Sequence, residues 1–140
     1  MKPTLVRDVM TREPLTIAPD LPMSVAIETM RSKGVRRLPV VSTTNRVIGI
    51  LTLYDALLAT RKDNDWMSEL VTPMPSVEDG MTANVITIGS QDTLAHAARL
   101  MNTHRVGGLP VMDDMRIVGI ITESDLFKVL ADMLDPDHTA

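Results

Sequence analysis

Short apolar strings alternate along the chain with stretches of helical spacing, and the alternation runs through twice. Leu15-Thr16-Ile17 has the length and composition of a strand. Met23, Ala26, Ile27 and Met30 then recur three and four residues apart, as one face of a helix does. Two β-rich runs follow, Leu38 to Val41 and Arg46 to Leu51, parted by the polar Ser42-Thr43-Thr44-Asn45, before a second helix predicted over about Leu53 to Thr60. The same order returns downstream. Ile86-Thr87-Ile88 precedes Leu94, Ala97, Ala98 and Met101 at helical spacing. Leu109 to Met112 and Arg116 to Ile121 flank Asp113-Asp114-Met115, and a helix is predicted over Glu123 to Leu134. Asp20 and Ser90 are candidate N-caps of the first helix in each half, with Pro22 tolerated in the first turn. Gly34 stands where a glycine ends a helix. Arg105 holds the matching place, so the second of these helices is expected to end another way.

The similarity is residue for residue. Val6-x-Asp8-x-Met10-Thr11 recurs as Val77-x-Asp79-x-Met81-Thr82, a shift of 71 that also carries Thr16-Ile17 onto Thr87-Ile88 and Leu38-Pro39-Val40 onto Leu109-Pro110-Val111. After the hairpin turn the shift is 70, and Gly49-Ile50-x-Thr52-x-x-Asp55 matches Gly119-Ile120-x-Thr122-x-x-Asp125. One deletion in a loop aligns the rest, so the fold class is α+β, two repeated β-α-β-β-α motifs. Motif 1 is expected over 6–62, a linker with Pro73 and Pro75 over 63–76, motif 2 over 77–134, and a frayed tail over 135–140. A unit of about 60 residues is marginal alone, so the two are expected to pack as one body.

Composition narrows the function classes. One Trp, one Tyr and one Phe against 11 Met require an aliphatic core. A net charge of −4 and a pI near 5.2 argue against binding duplex nucleic acid, which needs a basic face. No apolar run approaches the roughly 20 residues that span a bilayer, the N-terminus lacks a signal-peptide pattern, and there is no cysteine. A soluble, cytoplasmic protein is expected. His96 and His104 are eight apart, whereas zinc pairs on a helix sit at about i and i+4, so no metal site is expected. No nucleophile motif, phosphate loop or dinucleotide fingerprint is present, and no enzyme is expected.

The opening Asp-x-Met-Thr, the Leu-Pro-Val run and the closing Gly-Ile-x-Thr-x-x-Asp, in that order and twice, resemble the CBS (cystathionine-β-synthase) domain family over nearly the whole chain. The resemblance implies a pseudo-twofold pair of motifs with two clefts between them. It further implies a regulatory module that binds an adenine-containing small molecule, AMP, ADP, ATP or S-adenosylmethionine, with no obligatory cofactor, and signals to a separate effector protein.

Thr52-x-x-Asp55 and Thr122-x-x-Asp125 each open a helix. A Thr N-cap with an acid three residues on satisfies the first N–H groups, and a helix N-terminus also suits an anion. A carboxylate can accept from both hydroxyls of a ribose, and a Thr hydroxyl can donate to phosphate. The resemblance assigns those roles to Thr52, Asp55, Thr122 and Asp125. It places the base near Thr16, Ile17, Leu38, Pro39 and Val40, and near Thr87, Ile88, Leu109, Pro110 and Val111, whose first duty as apolar strand residues is the core. Arg36-Arg37 precedes Leu-Pro-Val in the first repeat and Gly107-Gly108 in the second. Arginines can clamp phosphate bidentately, so the two sites are expected to differ, the first favouring the more phosphorylated ligand. A homodimer is expected, its surface supplied by the Met- and Ala-rich helix faces of Met23 to Met30 and Leu94 to Met101 once the intramolecular core is filled. The rival is an adaptor that dimerises and binds no small molecule.

Overall fold

The computed structural model describes residues 2–61 and 74–137. The expected linker lies outside the described residues as far as 73, and the expected tail does so beyond 137. In chain order the described elements are a 3-10 turn (Val6–Asp8), β1 (Thr11–Arg12), α1 (Met23–Lys33), β2 (Arg37–Val41), β3 (Val47–Thr52) and α2 (Leu53–Ala59). Then come α3 (Val77–Gly80), β4 (Ile88–Gly89), α4 (Leu94–His104), β5 (Gly108–Asp113), β6 (Arg116–Thr122) and α5 (Glu123–Leu134).

These elements form two compact units, and neither unit is one repeat of the sequence. One comprises Met1–Pro14 with Ile86–Ala140, the other Leu15–Val85. The first holds a sheet of order β1-β6-β5-β4, in which Thr11 pairs with Ile120 and Ile88 runs parallel to Val111. The second holds the hairpin β2-β3, flanked by single bridges of Ile17 to Val40 and Thr82 to Ile50. In both units, therefore, the Asp-x-Met-Thr segment of one repeat pairs with the closing strand of the other. The glycines of that strand make this possible. A Cβ on Gly119 would lie 2.8 Å from the Thr11 carbonyl oxygen and collide with the Met10 thioether; on Gly49 it would collide with Met81 and lie 3.1 Å from the Thr82 carbonyl.

The first strand expected in each repeat is shorter than its apolar run. Ile17 donates to the Pro39 carbonyl (3.0 Å) and accepts from the Val41 N–H (2.9 Å). The next parallel bond would need an N–H on Pro39, which proline lacks, so the Leu15-Thr16-Ile17 strand reduces to one bridge. Pro110 limits the Ile86-Thr87-Ile88 run in the same way, leaving β4 at Ile88–Gly89.

The helix starts also differ from expectation. Neither Asp20 nor Ser90 is an N-cap. Pro22 precedes α1, whose first N–H, on Met23, is satisfied by the Pro75 carbonyl at 2.8 Å. Thr93 caps α4, its hydroxyl accepting from the His96 N–H at 3.1 Å, while the Leu94 N–H reaches the Thr4 carbonyl. At the C-terminal ends the two helices match after all: Gly34 and Arg105 are both left-handed (φ 67° and 55°). The residues after them donate back to Met30 and Met101, as a Schellman turn requires. The arginine is tolerated because two backbone bonds fix the turn, its own N–H and that of Val106 both reaching the Met101 carbonyl.

Each unit has its own core. Met23, Ala26 and Met30 of α1 close on Leu38, Val40, Leu51, Ala56 and Val77; Leu94, Ala97 and Met101 of α4 close on Leu109, Val111, Ile121 and Val6. Met23, Ala26, Met30, Leu94, Ala97 and Met101 of the helix faces are thus taken up by the cores. Val25 of α1 stays exposed, and so do larger apolar side chains elsewhere, including Phe127, Leu130, Met133 and Leu134 on α5 and Tyr54, Leu57 and Leu58 on α2. Among the described residues no helix is long and apolar enough to cross a membrane.

Candidate functional site

In each unit the turn from the last strand into the last helix gathers the polar residues singled out by the sequence. Thr52 ends β3 and Arg37 is its partner across the hairpin; Thr122 ends β6 and Gly108 is its partner. The helix start is tied to the residue before the strand start. Leu53 donates to the Arg36 carbonyl at 2.8 Å, and Glu123 to the Gly107 carbonyl at 3.0 Å. The hairpin thereby places Arg36-Arg37 beside Thr52 in one unit and Gly107-Gly108 beside Thr122 in the other. All four Thr-x-x-Asp side chains are half-buried; Arg36 is exposed and Arg37 half-buried.

The two turns are not wired alike. At α2 the Thr52 hydroxyl accepts from the Asp55 N–H (3.1 Å), which leaves its own proton available to donate. At α5 the Asp125 Oδ2 accepts from both the Thr122 N–H (2.9 Å) and the Thr122 hydroxyl (3.2 Å). Asp125 is therefore committed to its cap through one oxygen, with Oδ1 and the remaining lone pairs left to accept. Asp55 makes no such cap bond among the described residues.

The remaining sequence-named residues separate into two groups. Leu38, Pro39, Val40, Leu109, Pro110 and Val111 are fully buried, and Ile17 and Ile88 nearly so. Thr16 and Thr87 are exposed. The side chains free to meet a ligand are accordingly Thr16, Arg36, Arg37, Thr52 and Asp55 in one unit and Thr87, Thr122 and Asp125 in the other. Such a set can hold a diol with a carboxylate and an oxyanion with hydroxyl and guanidinium groups. Among the described residues no three His, Asp or Glu side chains come together to hold a metal ion.

The sequence reading passed over one further cluster. Arg7, Arg12, Glu13, Ser90, Asp113 and Arg116 line an open cleft of about 400 Å³ in the unit formed by Met1–Pro14 and Ile86–Ala140. Asp113, expected in the turn, instead ends β5 opposite Arg116, the turn being Asp114-Met115, and its carboxylate accepts from the buried Ser90 hydroxyl. A signal was available in the comparison of repeats, because Arg7 and Arg12 correspond to Glu78 and Ala83.

Comparison with known proteins adds to this geometry. The model of the CBS domain matches residues 6–62 and 76–132. A CBS domain-containing protein of Dictyostelium discoideum is 34% identical over 139 residues, covering 94% of both chains. The L-aspartate semialdehyde sulfurtransferase of Methanocaldococcus jannaschii is 28% identical over 90% of this chain, which spans only 23% of that protein. Among solved structures, a CBS domain pair in complex with 5'-methylthioadenosine and S-adenosyl-L-methionine superposes with a TM-score of 0.81 at 28% identity, over 94% of this chain and 99% of that one. CBSX2 of Arabidopsis thaliana in complex with AMP does so at 0.77 and 26%, over 94% and 98%.

Proposed function

Because the chain belongs to the CBS domain family, we propose that it is a regulatory module whose ligand is an adenine-containing small molecule, AMP, ADP, ATP or S-adenosylmethionine. The observation that carries this reading is the repeated Thr-x-x-Asp at a strand-to-helix turn, in a fold whose solved relatives include complexes with adenosine compounds. In it, Asp55 and Asp125 accept from the ribose hydroxyls, and Thr52 and Thr122 meet the charged end of the ligand. Arg36 and Arg37 favour the more phosphorylated ligand in their unit, whereas Gly107 and Gly108 leave room for backbone approach. The module does no chemistry itself. It works in the cytoplasm as a homodimer and passes ligand occupancy to a separate effector. Sedimentation as a monomer at micromolar concentration contradicts the dimer.

Calorimetric titration with the four ligands tests the reading. Asp55→Ala is expected to weaken binding about tenfold or more, the loss of a charge-assisted hydrogen bond of roughly 1.5–3 kcal/mol. Arg36→Ala/Arg37→Ala is expected to weaken ATP more than AMP. An absence of heat with all four would leave the adaptor as the better reading.

A further inference from the structure

We propose that the unit formed by Met1–Pro14 and Ile86–Ala140 carries an anion site of its own, the cleft between Arg7, Arg12 and Arg116, and that it takes a small molecule bearing phosphate groups. The cleft, about 400 Å³, falls within the roughly 300–1,000 Å³ usual for small-molecule sites. The segment that carries two of its arginines is anchored: the Arg7 backbone N–H donates to the Ser90 carbonyl at 2.9 Å, and the Arg12 guanidinium donates to the Arg7 carbonyl at 3.3 Å. Of the two acids on the wall, Asp113 is bound by the hydroxyl of Ser90, which is only 5% exposed. Three arginines thus line the cleft against two acids, Glu13 and Asp113. Each of the three is arginine rather than lysine, the side chain whose planar fork matches phosphate oxygens.

The other unit is an internal control. It builds the same hairpin and the same flanking segment, yet Arg7, Arg12 and Arg116 correspond there to Glu78, Ala83 and Arg46, and Ser90 to Pro19. The acids differ too, since Glu13 corresponds to Asn84, and one cation and one acid stand where the first unit has three cations and two acids. The fold does not require the arginines. Nor does general charge account for them in a chain of net charge −4. The cleft is also distinct from the Thr122-Asp125 turn. Arg116 pairs with Asp113 at one end of β5 and Thr122 pairs with Gly108 at the other, five residues or roughly 16 Å along the strand. The proposal therefore stands or falls apart from the adenine site.

Pyrophosphate is the probe, followed by amide chemical shifts on the whole chain. Shifts are expected at Arg7, Ser90 and Asp113 and not at Thr122 to Asp125. Affinity should fall steeply with added salt. Arg7→Glu/Arg12→Ala, which installs the residues of the other repeat, is expected to weaken pyrophosphate at least tenfold, and Arg116→Gln, a milder change, to weaken it severalfold with an unchanged melting temperature. Asp55→Ala/Asp125→Ala should bind pyrophosphate as wild type does. Shifts gathered at Thr122 to Asp125, no binding at millimolar pyrophosphate, or equal binding by the arginine variants would overturn the proposal. Citrate bound as tightly as pyrophosphate would overturn the phosphate assignment.

Discussion

At Arg105 the backbone turns left-handed with a side chain that such a turn disfavours by about 1 kcal/mol or more. Gly34 makes the same turn without that cost. Substitution should have opposite signs at the two positions. Arg105→Gly is expected to stabilise the protein by up to about 1 kcal/mol, and Gly34→Ala to destabilise it by about 1 kcal/mol, both read from urea midpoints. Equal destabilisation by the two changes would contradict the shared Schellman geometry. The sequence showed the glycine and hid the arginine, since nothing about an arginine announces a positive φ. Proline carried a legible signal that the apolar pattern masked. Pro39 and Pro110 are fully buried strand residues, and the N–H each lacks is what shortens the neighbouring parallel strand. The apolar run was visible as a string of residues, but its partner on the next strand was not.

Helices and strands came closer to their expected places where local rules govern them. α5 spans the predicted Glu123 to Leu134, and both hairpins fall within a residue or two of the apolar runs. The last helices start at Thr52 and Thr122 as read, because a threonine cap with an acid three residues on is a local device. What the sequence could not distinguish is how each cap is bonded, since Thr-x-x-Asp is identical in both. Asp125 holds the Thr122 N–H and hydroxyl, whereas Asp55 lends only its own N–H to Thr52. Asp125→Ala should therefore destabilise the protein by about 1 kcal/mol through loss of the cap, with Asp55→Ala near neutral. Thermal or urea unfolding of the two single variants measures this. Equal losses would show that the two carboxylates are used alike.

In the whole molecule, the repeat that the sequence displays and the unit that packs are different divisions of one chain. Val77 and Met81 complete the core that begins at Ile17, and Val6 and Met10 complete the core around Ile121. The reason was present in the sequence as two separate motifs: the methionine of Asp-x-Met-Thr lies over the glycine of Gly-Ile-x-Thr, but in the other repeat. Similarity finds both motifs and cannot say which copies meet. A fragment of residues 15–85 is expected to give a dispersed amide spectrum, and one of residues 6–62, deprived of Val77 and Met81, a collapsed one; the reverse would contradict the exchange. The central claim, an adenine-containing ligand held by the two Thr-x-x-Asp turns, is tested most directly by melting temperature. Wild type and Asp55→Ala/Asp125→Ala are titrated with AMP, ADP, ATP and S-adenosylmethionine. A ligand at about 100 times its dissociation constant contributes roughly 2.7 kcal/mol, a rise of about 5 °C or more for a chain of this size. The account predicts that rise in wild type with at least one of the four and its loss in the double variant. A rise of equal size in both proteins, or none in wild type, would contradict it.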